Sequence, residues 1–172
     1  AQYQFKHLSF QEGLFAQDLL IKAEAGWETW ETDATACEFL NNPFMNNTCR
    51  IAAGYLGSRL AKRRAHWDFS AKSTHLSEVG LMALWLICEN NDKLRHLDLR
   101  NNDVGAKGED GIGLSRMLST SSALVTLNLG SNILGELKGH IRTFGRGLSS
   151  NKTLTQLDVS SNRLLPDGIK VV

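Results

Sequence analysis

Three side chains of the kinds that build an acid–base relay, His96, Asp98 and Ser160, fall on short segments of similar spelling. A nucleophile of that kind needs a base within hydrogen-bond reach and a third group to orient the base. Nothing in the spacing supplies this, because Ser160 belongs to a different copy of the segment from His96 and Asp98. The remaining strong nucleophiles are Cys37, Cys49 and Cys88. They show no metal-ligand spacing and lie in apolar helical patterns, so they read as buried free thiols. The stretch Gly105-Ala-Lys-Gly108-Glu-Asp-Gly111-Ile-Gly113 is rich in glycine but lacks the Lys-Ser/Thr that would reach a nucleotide's phosphates. It reads as a loop. The chain is therefore read as no enzyme, with no catalytic residue, no metal site and no cofactor of its own.

The elements that carry these residues are set by a repeated phrase. Leu94-Arg-His-Leu97-Asp-Leu99-Arg-Asn-Asn102 is followed by Leu124-Val-Thr-Leu127-Asn-Leu129-Gly-Ser-Asn132 and Leu154-Thr-Gln-Leu157-Asp-Val159-Ser-Ser-Asn162, in steps of 30 residues. This is the leucine-rich-repeat phrase LxxLxLxxN. In a strand, alternate residues share a face. The Leu97/Leu99 pair and its copies therefore point into a core. His96, Asp98, Arg100, Thr126, Asn128, Gln156 and Asp158 fall on the opposite, concave face, with Gly130 and Ser160, and are the candidate partner-binding residues. Asn102, Asn132 and Asn162 stand where the chain leaves the strand. Their amides suit the unpaired backbone groups of that turn, and they are read as a structural ladder.

The rest of the repeat keeps register. Val104, Leu134 and Leu164 share one position, Leu114 and Phe144 another, and Leu118 and Leu148 a third, with helical spacing between the last two. A helix should therefore pack behind each strand. In the same frame one step earlier, Trp67-Asp68-Phe69 replaces Leu97-Asp98-Leu99, Leu84 and Cys88 replace Leu114 and Leu118, and Lys72 replaces the ladder asparagine. Residues 64–93 read as a degenerate first repeat, as terminal repeats usually are.

Charge is balanced, with 19 basic and 18 acidic residues and a net charge of +1. This gives no support for nucleic-acid or anionic-membrane binding. The cluster Arg59, Lys62, Arg63 and Arg64 suits the end of a helix, where cations meet the negative end of the dipole. Sequons occur at Asn46 and Asn151. No signal peptide and no membrane-length apolar run are evident. Free thiols and the missing leader make the cytoplasm the expected location. The chain opens inside a patterned segment, and its last repeat stops at its convex helix, so a piece of a longer protein is expected.

Residues 1–63 carry no repeat phrase. Ser9 and Glu12 have capping-box spacing before Phe10, Leu14, Phe15 and Leu19, which predicts a helix from Phe10 to about Ala25, ended by Gly26. A second helix is expected from Thr32 to Leu40, broken by Asn41-Asn42-Pro43. A third, from Thr48 to Arg64, would pack through Ile51, Tyr55, Leu56 and Leu60.

The stretch Tyr3-Gln-Phe5-Lys-His7-Leu8-Ser9-Phe10-Gln11-Glu12-Gly13-Leu14-Phe15-Ala16 resembles the F-x-H-x-S-F-Q-E-F-x-A-A segment of NOD-like receptors. Arg50-Ile51-Ala52-Ala53-Gly54-Tyr55-Leu56 is similar to a helix of that family's second helical domain. Gly13 and Gln17 depart from the family's pattern. The resemblance implies a STAND-type switch with a NACHT NTPase module and ribonuclease-inhibitor-type repeats. The chain would run from the end of the winged helix through the first repeats. It also implies that His7 contacts the β-phosphate of ADP in the full-length protein, which would use ADP or ATP. No G-x-x-x-x-G-K-[ST] occurs in the chain, so hydrolysis would need the remainder of the protein.

The expected fold is α/β, a short right-handed solenoid of parallel strands and convex helices preceded by a helical domain. Residues 1–63 would be the helical segment, 64–93 the degenerate repeat, and 94–172 two complete repeats and a truncated one. The expected role is that of a sensor or autoinhibitory arm in innate immune signalling. It would bind a protein or pathogen-type ligand on the concave face, or the NTPase core of its own protein, with no nucleic acid and no membrane span. The alternative is a plain repeat scaffold with a helical cap, mediating protein–protein contacts.

Overall fold

The computed structural model describes residues 11–18, 32–60, 65–70, 74–89, 91–106, 108–136 and 141–164. Four short strands form one parallel sheet in the order β1-β2-β3-β4. They are β1 His66–Asp68, β2 His96–Asp98, β3 Thr126–Asn128 and β4 Gln156–Asp158. Each pairs with the next in a 30-residue register: Trp67 faces Leu97, Leu97 faces Leu127, and Leu127 faces Leu157. Parallel neighbours need a long crossover, and here the crossovers contain helices. Residues 11–18 belong to a first helix, α1. The others are α2 Asp33–Asn41, α3 Pro43–Leu60, α4 Glu78–Glu89, α5 Gly108–Thr120 and α6 Ile141–Ser150.

The core lies between sheet and helices, where the expected rows meet. Trp67, Phe69, Leu97, Leu99, Leu127 and Leu129 are buried from the strands, and Leu84, Cys88, Leu114, Leu118 and Phe144 from the helices. Leu157, Val159, Leu148 and Leu164 pack on this core and are only partly buried. Emptying one of the fully buried sites, as in Leu97→Ala, would cost roughly 2–5 kcal/mol.

The turn after each strand is built alike. Asn101, Ser131 and Ser161, each just before a ladder asparagine, have φ of 58°, 54° and 55°. That left-handed bend turns the following asparagine inward. Asn102, Asn132 and Asn162 are buried. The Asn132 Nδ2 donates to the carbonyls of Leu99 (2.8 Å) and Leu129 (2.9 Å), and its Oδ1 accepts from the Val104 N–H (3.0 Å). Asn102 donates to Phe69 (2.8 Å) and accepts from Leu76 (2.6 Å). Asn162 donates to Leu129 (2.7 Å) and accepts from Leu134 (3.1 Å). Each amide thus stitches its own turn to the repeat before it.

Several expectations need correction. The degenerate repeat leaves the strict 30-residue frame after Phe69: the position of Val104 and Leu134 is held there by buried Leu76. The loop after β1 is two residues longer, and the run into α4 two shorter. Lys72 lies outside the described residues. The glycine-rich stretch is a loop only at its start, since Gly108 to Gly113 lie in α5. A Cβ at Gly113 would stand 2.4 Å from Trp85 Cδ1, so close packing on α4 explains that glycine. Asp110 completes this corner: its Oδ2 accepts the Gly105 N–H at 2.9 Å and its Oδ1 the Trp85 Nε1–H at 3.4 Å.

Among the leading helices, Thr32 caps α2, accepting the Thr35 N–H at 3.1 Å. The third helix begins at Pro43, five residues before the expected Thr48. Proline suits a first helical position because no donor is wasted there, and the Asn42 Oδ1 accepts the Phe44 N–H at 3.0 Å. Ile51 is exposed, and α3 instead buries Thr48, Cys49, Ala52 and Ala53. Leu14 and Phe15 of α1 are likewise exposed, whereas Ala16 is buried. In α2, by contrast, Phe39 and Leu40 are buried beside Ala36 and Cys37. The Glu12 Oε2 accepts from Asn47 Nδ2 of α3; Ser9, its expected capping partner, lies outside the described residues. Phe10, Leu19, Ala25, Gly26, Lys62, Arg63 and Arg64 also lie outside them, as do the side chains of Tyr55, Leu56, Arg59 and Leu60.

Candidate partner-binding face

The face of the sheet turned away from the helices carries three rows, one residue from each strand or its exit. The register aligns His66, His96, Thr126 and Gln156 in the first row and Asp68, Asp98, Asn128 and Asp158 in the second. Ser70, Arg100, Gly130 and Ser160 follow two residues on. All seven residues expected on this face are brought together on it. His66 and Asp68, not among the expected binding residues, extend both rows onto β1. The 30-residue frame that exposed Trp67 and Phe69 already marked their places.

The middle row is tied to the third by local bonds. Asp68 Oδ1 accepts from the Ser70 N–H (2.9 Å), Asp98 Oδ1 from the Arg100 N–H (3.0 Å), Asn128 Oδ1 from the Gly130 N–H (2.9 Å) and Asp158 Oδ1 from the Ser160 N–H (2.8 Å). These Asx-type bonds close the turn after each strand. Arg100 sits among the acids, with an Nη2 nitrogen 3.0 Å from Asp98 Oδ2. The Ser70 hydroxyl bond, then its N–H and the Arg100 and His66 charges, hold the Asp68 carboxyl below its ordinary value against the opposing effect of burial. The Ser160 hydroxyl and N–H, with Arg100, do the same for Asp158. The His66 and His96 rings are 5.5 Å apart between centroids. Beside them the Thr126 Oγ1 and Gln156 Oε1 are 3.3 Å apart.

No relay joins His96, Asp98 and Ser160. The Asp98 carboxylate is engaged by Arg100 and, at 3.4 Å, by Asn128 Nδ2, while the Ser160 hydroxyl is bonded to Asp158. The three cysteines are free and buried. Burial pushes the Cys49 thiol up to about 12, and burial with the nearby Glu89 charge raises Cys88 further. Neither is a thiolate at neutral pH. Among the described residues no group of three or more His, Cys, Asp or Glu is placed to hold a metal ion. No described helix is long and apolar enough to cross a membrane.

The ladder asparagines are buried beneath the turns rather than displayed on this face. Asn151 is similarly engaged: its Nδ2 donates to the Leu118 carbonyl at 2.7 Å, and its Oδ1 accepts the Thr153 and Leu154 N–H groups. Glycosylation would break that contact. Asn91 holds the same place one double step earlier, accepting from Lys93 and Leu94. Neither role was visible in the phrase itself, although the 60-residue spacing of Asn91 and Asn151 signals it. His7 lies outside the described residues.

A parallel sheet of 30-residue steps, an asparagine ladder and a row of outward polar side chains define a leucine-rich-repeat scaffold. A family model described as leucine-rich repeat matches residues 90–108 and 150–172. The chain carries leucine-rich repeats, and a polar, solvent-facing sheet of this kind suits protein binding rather than chemistry.

Proposed function

We propose that this chain joins the nucleotide switch of a NOD-like receptor to its sensing repeats, and that the open sheet face is where a protein partner docks. On this reading residues 1–63 are the end of the winged helix and the second helical domain, 64–93 the degenerate first repeat, and 94–172 the start of the sensor arm. The partner is either a ligand protein or the NTPase core of the same cytoplasmic molecule. The observation that carries the binding reading is the alignment of Asp68, Asp98, Asn128 and Asp158 across four strands. Each offers hydrogen-bonding capacity beyond the bond that closes its own turn. The switch reading is supported by the order of the motifs: the His7 segment first, then the helix around Ala52 and Ala53, then the repeats.

His7 would donate an imidazole N–H to a phosphate oxygen of ADP, with protonation adding charge. Its share rests on the motif, and the phosphate loop would come from upstream residues. The test is nucleotide retention by a version of the chain that includes the nucleotide-binding module this reading requires. His7→Ala should lower the ADP that copurifies. Undiminished ADP would remove His7 from the site, and an upstream sequence with no phosphate loop would leave a repeat scaffold with a helical cap.

A further inference from the structure

We propose that Asn41 is the latch that couples the helical segment to the asparagine ladder, serving as its first rung although it belongs to α2. Every ladder amide reaches back to the preceding repeat. The loop after β1 has no preceding strand among the described residues, and it is held from two sides instead. Asn102 Oδ1 takes the Leu76 N–H at 2.6 Å. Asn41 Oδ1 takes the next one, the Ser77 N–H, at 2.7 Å, while Asn41 Nδ2 donates to the His75 carbonyl at 2.8 Å. One helical turn earlier, Cys37 Sγ donates to the same carbonyl at 3.4 Å.

Residues 75–77 thus join the two halves through adjacent backbone groups. Ser77 also caps α4, its hydroxyl accepting the Gly80 N–H at 3.2 Å. The approach is close enough to dictate a residue: a Cβ at Gly80 would lie 2.3 Å from Asn41 Oδ1. Apolar contact between helices tolerates some sliding, but a side-chain amide bonded at both ends loses both bonds to a shift of about an ångström. Opening the loop from the ladder side therefore loosens α2, and the reverse. Should a partner on β1 and β2 move this loop, a step that rests on the reading given under Proposed function, α2 would register it.

Hydrogen exchange on the full, partner-free chain tests the latch apart from any partner. Asn41→Ala removes both amide bonds, and Gly80→Ala keeps Asn41 but fills the space it occupies. Both should raise exchange at Leu76, Ser77 and the α2 amides by about tenfold. Amides around β3 should exchange at the parental rate. In an Asn41→Ala plus Asn102→Ala double variant, the rise at Ser77 should fall short of the product of the two single effects. Parental exchange at 75–77 in Gly80→Ala, an equal rise across the whole sheet, or a fully multiplicative double variant would overturn the proposal. Gly80→Ala decides the matter should Asn41→Ala fail to fold.

Discussion

Asn132 holds Asn102 from one repeat further on: its side-chain Oδ1 accepts the Asn102 backbone N–H at 3.0 Å. The same oxygen takes the Val104 N–H, and the amide nitrogen reaches the carbonyls of Leu99, Leu129 and Gly130. Asn132→Ala would leave several of these buried groups unpaired, at about 1–3 kcal/mol each before relaxation. We expect a loss of about 3 kcal/mol in urea unfolding. Asn162→Ala should cost less, because Asn162 stands on a repeat whose Leu157 and Val159 are only partly buried. Equal costs would contradict the ladder's dependence on its neighbours.

Much of this was legible because the repeat states its own geometry. A fixed 30-residue step places Leu97 on Leu127 and Asn102 beside Asn132 whatever lies between. Where the step slips locally the reading fails, and Leu76 is such a case, reached through a loop two residues longer. Ile51 misled for another reason: its helix packs through Cys49, Ala52 and Ala53, whose small size carries little hydrophobic signal. Gly113 and Asn41 answer to Trp85 and Ser77 respectively, partners on other elements that no local pattern points to.

Two glycines should respond with opposite signs to the same change. A Cβ at Gly13 meets nothing within 4 Å, whereas one at Gly113 would press against Trp85 at 2.4, 2.7 and 3.1 Å. Gly13→Ala should stabilise the chain by about 0.5–1 kcal/mol, the usual gain in helix propensity. Gly113→Ala should destabilise it by about 1–3 kcal/mol through overpacking. Thermal melts of the two variants read this directly, and a stabilising Gly113→Ala would refute the close packing of α4 on α5.

The acids of the open face set a pH dependence. The Asp68 and Asp158 carboxyls lie below their ordinary value of 3.8, each chiefly through the hydroxyl of the serine two residues on. A depressed carboxyl adds stability that is complete above its unfolded value and is lost as pH falls through its folded one. Stability should therefore hold from neutrality to about pH 4 as far as these two groups are concerned, then fall. Asp68→Asn should flatten that fall in urea midpoints measured between pH 5 and pH 2.5. An unchanged slope would remove Asp68 from this role.

The central claim is that the open sheet face binds a protein partner and does so independently of the fold. On the reading proposed above, the direct measurement is titration of the chain with a separately expressed NACHT-type nucleotide-binding module as the partner, comparing the parent with an Asp98→Lys plus Asp158→Lys variant. The variant gives up two turn-closing bonds and the Asp98–Arg100 pair, all on the open face and none in the core, so the melting temperature should fall while the chain still folds. The account predicts binding weakened at least tenfold with the fold retained. Binding of parental strength by the folded variant, or loss of the fold itself, would contradict it.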